Sequence, residues 1–371
     1  MSEAGGQAVP IRAAVLNTAP GQLEFEQLEL DSPGPHEVIV RTAAVGLCHT
    51  DLHYIDAVWG TDLPEVLGHE AAGIVTAVGS EVRSVAPGDH VVTCMSAFCG
   101  RCRHCVEGRL TLCLNHSALR MRSRAALLNE HGRAVGRIGG IGGFADRMLI
   151  HENSVVRIAT EVPLDRACLL GCATITGVGA VWHSARVRPG SSVAVIGCGG
   201  VGLSVVQGAK LAGAAHIVAV DLDGRSRAQA RRFGATAVVD PTDGDPIDRV
   251  RAICPAGVDY SFEAIGRRDT VEQSFAMLGP GGVATVLGMV PDDQPLRITA
   301  SELFFHEKRL QGSLLGSNHF PADIPRLAEL YLSGRLDLDS MISKRFAFDD
   351  INAGVDALRR GGVHRVVVVF E

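Results

Sequence analysis

The sequence predicts an α/β chain in two parts, a β-rich domain first and a doubly wound parallel sheet after it. Three observations carry that reading: the length, a change in the apolar pattern near residue 190, and a glycine-rich turn placed where such a sheet needs one. At 371 residues the chain is long for one core and suits two domains of ordinary size. Up to about residue 172, short β-rich runs (IRAAVLN, EVIVRTAAVG, EAAGIVTAVG, GDHVVT) alternate with Gly, Pro and Asp turns. An antiparallel, barrel-like domain is expected there. From about 190 to 316 the runs SVAVIG, HIVAVD, AVVD, VDYSFEAIG and GGVATVLGM are separated by helical stretches such as RSRAQARRFG and RDTVEQSFAMLG. Strand and helix in strict alternation imply a parallel sheet covered on both faces. The final stretches, helical PADIPRLAELYLSGRL and the strand HRVVVVF, do not extend the alternation and are expected to return to the first domain.

The formal charge of −6 offers no electrostatic footprint for nucleic acid or for an anionic membrane surface, so neither is expected as a partner. The N-terminal MSEAGGQAVPIRAAV carries an acid at Glu3 and no apolar block behind a basic cluster, which is not a signal-peptide pattern. The most apolar later stretch, SSVAVIGCGGVGLSVV, is interrupted by Gly and Ser and falls short of the ~20 apolar residues of a membrane helix. A cytoplasmic chain is expected, with its ten cysteines serving as metal ligands and free thiols in place of a disulfide framework.

The strand SVAVIG runs into GCGGVG, which sets Gly197, Gly199 and Gly202 in a G-x-G-x-x-G pattern, with Gly200 and Val201 opening the helix that follows. The first glycine permits the tight turn, the second lets backbone approach a pyrophosphate, and the third packs helix on strand. A glycine-rich turn without a ligand is the plain alternative. The context favours a dinucleotide, because HIVAV ends at Asp221, nineteen residues after Gly202, where a carboxylate accepts hydrogen bonds from an adenosine ribose. Asp221 and Asp223 would repel a 2′-phosphate and Arg225 is the nearest cation in sequence, so NAD is expected over NADP.

Cys99, Cys102, Cys105 and Cys113 have two, two and seven residues between them. Four thiolates at that spacing close a tetrahedral zinc site with no vacancy for substrate. A zinc ribbon on nucleic acid is the rival reading, and the chain lacks both the paired long spacing and the basic surface for it. A sparser set comprises Cys48 and Asp51 in VGLCHTDLH, His69 and Glu70 in VLGHEAAG, and Cys172 in LLGCATITG. Two thiolates and an imidazole would leave a fourth position open, as catalytic zinc requires, but spacing alone does not join residues 48, 69 and 172.

Those residues, in that order, resemble the zinc-dependent alcohol dehydrogenases of the medium-chain dehydrogenase/reductase superfamily. The resemblance rests on GHEAAGIVTAVG, the four-cysteine lobe at about 95–115, GCATITG, and GCGGVG with Asp221, and it spans essentially the whole chain. It implies a GroES-like catalytic domain over residues 1–172 and 317–371 and a Rossmann domain over 173–316. It makes Cys48, His69 and Cys172 the ligands of a catalytic zinc, an open Cys₂His set of the kind for which alcohol dehydrogenase is itself the standard example. It places Glu70 behind the metal, Asp51 as the carboxylate that orients the histidine ligand, Thr50 as the hydroxyl on the alcohol, and His53 as the base at the outer end of a proton relay. His49 and Arg365 would reach the cofactor phosphates, and Thr176 and Ile265 would contact the cofactor. His49 stands where many members carry arginine, and Met95 where the substrate pocket is often aromatic. The long segment after Cys113 matches dimeric members, so a homodimer is expected.

The implied activity is reversible hydride transfer between an alcohol and NAD, with two zinc ions per chain. The same architecture serves thiol-adduct formaldehyde dehydrogenases, which use glutathione or mycothiol and would need anion-binding groups in the variable loop. From another class, a non-enzymatic protein binding NAD and zinc is disfavoured, because it would have no use for an intact Thr50 and His53.

Overall fold

The computed structural model describes residues 8–122 and 124–371, so Glu3 lies outside the described residues. Packing divides the chain into two units, one running to Cys172 and resuming at His319–Glu371, the other spanning Ala173–Asn318. Among the described residues no single helix is long and apolar enough to cross a membrane.

The first unit is built on two sheets. The smaller has the order Leu127–Asn129, Leu23–Leu30, Val9–Leu16, Glu65–Val66, Gly136–Arg137. The larger runs Val155–Arg157, His90–Thr93, Glu70–Val78, Glu37–Leu47, Arg365–Val369, Ile342–Ala347, with Arg147–His151 also on Glu37–Leu47. Pairing is mostly antiparallel, with two parallel exceptions, Glu65–Val66 on Gly136–Arg137 and Ile342–Ala347 on Arg365–Val369. The second exception has a physical reason: the helix Ile351–Arg359 crosses between those two strands, as a parallel return demands. Glu37–Leu47 is the organising strand. Its residues 44–47 pair with the terminal strand and 37–41 with Arg147–His151 along one edge, while Glu70–Val78 lies on the other. Its run of Val, Ile, Ala and Leu is buried almost throughout, and Val38, Val40 and Val45 join a core that includes Leu16, Leu28, Phe144 and Val366.

The second unit is a six-stranded parallel sheet in the order Ala237–Val239, His216–Val220, Ser192–Ile196, Val258–Glu263, Leu278–Val286, Arg309–Gly312. Numbered along this unit the order is 3-2-1-4-5-6, the doubly wound dinucleotide-binding arrangement, whose ligand crevice lies outside the carboxyl ends of the strands where the order reverses. The helices are cut by local chemistry. Gly224–Phe233 starts after Asp223, whose side chain accepts the Arg225 N–H at 2.9 Å, and stops at Gly234 with φ of 120°. Pro246–Ile253 is capped by Asp245, with proline at its first position.

Candidate metal centres and dinucleotide site

The four cysteines of the 99–113 cluster sit in a short lobe, Cys102 capping the helix Arg103–Val106 and Cys113 ending the turn Leu110–Leu112. Their sulfurs all lie within 4.8 Å of one another, with 3.5 Å between Cys102 and Cys105 and 4.0 Å between Cys99 and Cys105. A tetrahedron of 2.3 Å zinc–sulfur bonds requires sulfurs roughly 3.8 Å apart, so the cage fits the ion. Backbone N–H groups already point at sulfur: Cys99 to Cys113 Sγ at 3.2 Å and Cys102 to Cys99 Sγ at 3.3 Å. The Asn115 side chain donates to Cys99 Sγ at 3.4 Å, and together with the Arg101 N–H it brings that thiol down to about 6. Burial pushes Cys105 up to about 12. Thiols of such unequal acidity become four thiolates together only with a cation at their centre.

The second cluster joins Cys48, His69, Glu70 and Cys172, whose ligand atoms also lie within 4.8 Å of one another. Three strand or helix junctions assemble it. Cys48 precedes the helix His49–Ile55, His69 and Glu70 mark the start of Glu70–Val78, and Cys172 ends a buried turn after Cys168–Gly171. Asp51 ties the parts together, one carboxylate oxygen accepting the Cys48 N–H at 2.9 Å and the other the Gly68 N–H at 3.2 Å. That second oxygen also stands 3.5 Å from His69 Nδ1, both side chains being almost wholly buried. This leaves Nε2 as the free ring nitrogen, the division of roles that metal-bound imidazoles show. A hydrogen bond from Cys172 holds the Cys48 thiol well below its usual range despite burial, with His69 and Arg365 adding to the effect. Burial works against a charged His69, yet Asp51 and Cys48 raise it to about 10. Two soft sulfurs and an imidazole suit zinc, and the set fits that ion.

Arg365, expected on a cofactor phosphate, has a guanidinium that is 4% exposed and ion-paired with Glu70, itself fully buried. The sheet order explains the placement: Glu70, Gly46 and Arg365 come from three adjacent strands. Gly46 is the one residue that admits the pair, since a Cβ there would lie 2.5 Å from Glu70 Oε2 and 3.1 Å from Arg365 Nη2. Removing one partner of such a buried pair costs about 3–5 kcal/mol, because the other charge stays buried alone. Glu70 therefore has its second oxygen buried and unpartnered beside the metal cluster, and the first committed to arginine.

Thr50 and His53 are half-buried on the helix that Cys48 begins, three residues apart and so on one face. The His53 ring lies 4.5 Å from that of Trp59. His49 is exposed at the helix start. Met95 is half-buried, packed where a Gly139 side chain would stand, and its carbonyl accepts from Arg120 at 3.0 Å.

In the other unit, Gly197 turns the chain with φ of 88° and Gly199 precedes the helix Gly200–Leu211. The three glycines have distinct reasons. A Cβ on Gly202 would sit 1.7 Å from the Gly197 carbonyl, so helix and strand touch there, whereas around Gly199 nothing stands within 4 Å. The open approach is at the second glycine, where a phosphate would come against backbone. Asp221 accepts the Cys198 N–H at 2.6 Å and the Asp223 N–H at 2.8 Å, which fixes its carboxylate at the turn. Arg225 is exposed and paired with Asp223, and it is Arg227 that reaches Asp221, donating to its carbonyl at 2.6 Å while pairing with Asp240. The nearest cation in sequence is thus not the one at the acid. Thr176 is buried on the helix Ala173–Gly179, and Ile265 is 47% exposed, with its Cγ1 against Gly197.

Three participants escaped the sequence. Asn115 follows the last cysteine of its cluster by two residues, a spacing that could have suggested an N–H···S donor. Gly46 looked like any strand glycine. Glu263 ends the buried strand VDYSFE, and an acid at the end of an otherwise buried parallel strand is the signal that was available.

Comparison with known proteins gives a consistent answer. The alcohol dehydrogenase GroES-like domain family matches residues 34–160, and the zinc-binding dehydrogenase family matches residues 200–332. An alcohol dehydrogenase class-3 of Oryza sativa subsp. japonica is 36% identical over all of this chain and 99% of its own length. The crystal structure of benzyl alcohol dehydrogenase from Acinetobacter calcoaceticus superposes with a TM-score of 0.91 at 31% identity, covering 98% of this chain and 100% of the other. A zinc-binding dehydrogenase from Sinorhizobium meliloti, bound to NADP, gives 0.82 at 30% identity over 97% and 99%.

Proposed function

This chain belongs to the zinc-dependent alcohol dehydrogenases of the medium-chain dehydrogenase/reductase superfamily, and on that premise we propose that it interconverts a primary or secondary alcohol and its aldehyde or ketone, with NAD as the hydride carrier. The observation that carries the reading is the gathering of Cys48, His69 and Cys172 at the foot of the helix bearing Thr50 and His53.

A zinc ion held by those three ligands would polarise the alcohol oxygen and ease loss of its proton, and NAD would take up the hydride. The residues do the rest. Thr50, two positions after Cys48, holds the alcohol hydroxyl by hydrogen bonding and takes up its proton as it hands its own hydroxyl proton on toward the outer end of the relay. His53, at the next turn on the same face, passes that proton outward. Asp51 keeps His69 in one orientation through its Nδ1 side, and Arg365 neutralises Glu70 behind the cluster. The closed four-cysteine cage would hold a second zinc and braces its own lobe. Asp221 supports NAD over NADP, because it offers an acid to a ribose hydroxyl and Arg225 is engaged by Asp223.

A second reading, a thiol-adduct formaldehyde dehydrogenase, is favoured by one observation. In the loop after Cys113, Arg120, Arg124 and Arg137 line a cavity of about 410 Å³, with Arg122 there paired to Asp31 and Glu37. Cations in that number suit the carboxylates of a peptide-like thiol. The test is NADH formation at 340 nm over a panel of alcohols, run with NAD and with NADP, and with formaldehyde alone or with glutathione or mycothiol. Alcohol-dependent NADH without added thiol supports the first reading, and formaldehyde turnover only with thiol supports the second. No turnover on any arm by a zinc-loaded chain would overturn both.

We propose a homodimer as the working state, supported by the strand Arg309–Gly312, which ends the parallel sheet, and by the exposed Phe304 and Phe305 just before it. Sedimentation at one protomer's mass would contradict it.

A further inference from the structure

Glu263 is fully buried at the carboxyl end of the fourth strand of the parallel sheet. One of its oxygens gathers three donors, the backbone N–H groups of Ile265 at 2.9 Å and Gly266 at 2.8 Å and the Thr270 hydroxyl at 2.8 Å. Its own carbonyl accepts from Leu287 at 2.8 Å and Gly288 at 3.1 Å, at the end of the neighbouring strand. The other carboxylate oxygen is buried without a partner, and a Cβ on Gly288 would come within 2.6 Å of it. So a single acid clips the loop Ala264–Gly266 to the strand end on one side and to the start of the helix Arg268–Ala276 on the other.

That loop borders the glycine turn. The Ala264 N–H donates to the Ile196 carbonyl at 2.9 Å, one residue before Gly197. Ile265 carries an exposed side chain whose Cγ1 would lie 2.5 Å from a Cβ on Gly197, and Gly266 has φ of 89° with the Met289 backbone against it. Both loops stand at the carboxyl ends of the strands beside the point where strand order reverses, where open parallel sheets take their ligands. The interior of a sheet has no general need of a carboxylate, and leaving one of its oxygens unpaired is costly. Its presence is explained if the peptide it holds must keep one conformation.

We propose that Glu263 is a positioning residue of the dinucleotide site, holding Ala264–Gly266 so that the Ile265 side chain and adjoining backbone form one wall of the pocket next to Gly197. Glu263 does not touch the dinucleotide; it acts through the backbone of Ile265 and Gly266. The proposal rests on the reading that this unit binds a dinucleotide.

The test uses Glu263→Gln and Thr270→Ala in the full chain, with two readouts. The first is the Kd for NADH by fluorescence, and the second is amide hydrogen exchange of the ligand-free protein. Glu263→Gln keeps the volume and one acceptor but puts an amide where no acceptor stands. It is expected to weaken NADH about tenfold and to speed exchange at Ile265 and Gly266 by a similar factor, with Val193–Ile196 unchanged. Thr270→Ala removes one of the three donors and keeps the acid, and is expected to raise Kd by about threefold, which keeps the test decisive if Glu263→Gln fails to fold. Kd values within twofold of the parent, or unchanged exchange at residues 265 and 266, overturn the proposal. Failure of the parent itself to bind NADH or NADPH overturns the dinucleotide reading instead, so the two failures are distinct.

Discussion

Cys48→Ala is expected to lower alcohol-dependent NADH formation about a thousandfold or more while leaving the chain folded. The size follows from what an open metal site contributes: polarisation of an oxygen by a bound cation is worth several kcal/mol of transition-state stabilisation, and about 4 kcal/mol is a thousandfold in rate. Two ligands would remain, His69 and Cys172, too few to hold zinc in a defined geometry. Folding survives because the surrounding charges keep their partners without Cys48. Arg365 remains paired with Glu70, and Asp51 still faces His69 and still accepts the Gly68 N–H. Binding of NADH is expected to be unchanged, since the glycine turn and Asp221 belong to the other packed unit. Circular dichroism, NADH fluorescence and the 340 nm rate on one preparation measure all three. More than a tenth of parent turnover in the variant would contradict the placement of chemistry at this cluster.

Cys102→Ala is expected to act in the opposite sense, lowering Tm by on the order of 10 °C in a protein that still turns over below its melting point. The lobe has almost no core of its own. Its buried cluster consists of Cys105, Leu110 and Cys113 with Phe98, Cys99 and Cys102 against it, while Val106, Leu112 and Leu114 are exposed. Apolar burial on that scale does not order so many residues, so a zinc bound by the four cysteines would carry the fold of the lobe. Cys102 also supplies a backbone donor to Cys99 and sits 3.5 Å from Cys105, so its loss opens the cage from the middle. Scanning calorimetry of both cysteine variants side by side checks the division of labour. A Tm loss at Cys48→Ala equal to that at Cys102→Ala would contradict it.

The sequence carried the architecture where local physics is strong. The glycine turn, its strand and Asp221 obey rules that act within about thirty residues, and the sheet order follows from strict strand–helix alternation. The four-cysteine lobe is local too, and its spacing alone specifies a closed tetrahedron. What local reasoning could not supply was the convergence of Cys48, His69 and Cys172, which depends on the packing of elements far apart in sequence; resemblance joined them, and the structure brings their ligand atoms within 4.8 Å. Arg365 shows what position along the sequence leaves out. Its partner is decided by strand order, which sets a buried guanidinium two strands from Glu70, where it pairs with that buried charge. Arg225 is the nearest cation to Asp221 along the chain, whereas the helix after Asp223 turns Arg227 toward the Asp221 carbonyl. Glu263 was hidden among strand residues because an acid at a strand end has meaning only once the loops around it are known.

The central claim is that an open zinc centre at Cys48, His69 and Cys172 performs the alcohol chemistry and the closed cage at residues 99–113 does not. One measurement addresses it directly: zinc content by elemental analysis, followed together with the 340 nm rate as a chelator withdraws metal. About two zinc ions per chain are predicted at the outset, with turnover vanishing as the content falls from two to one and returning when zinc is restored, the four-thiolate cage being the slower to yield. Full turnover by a chain holding no zinc would contradict it.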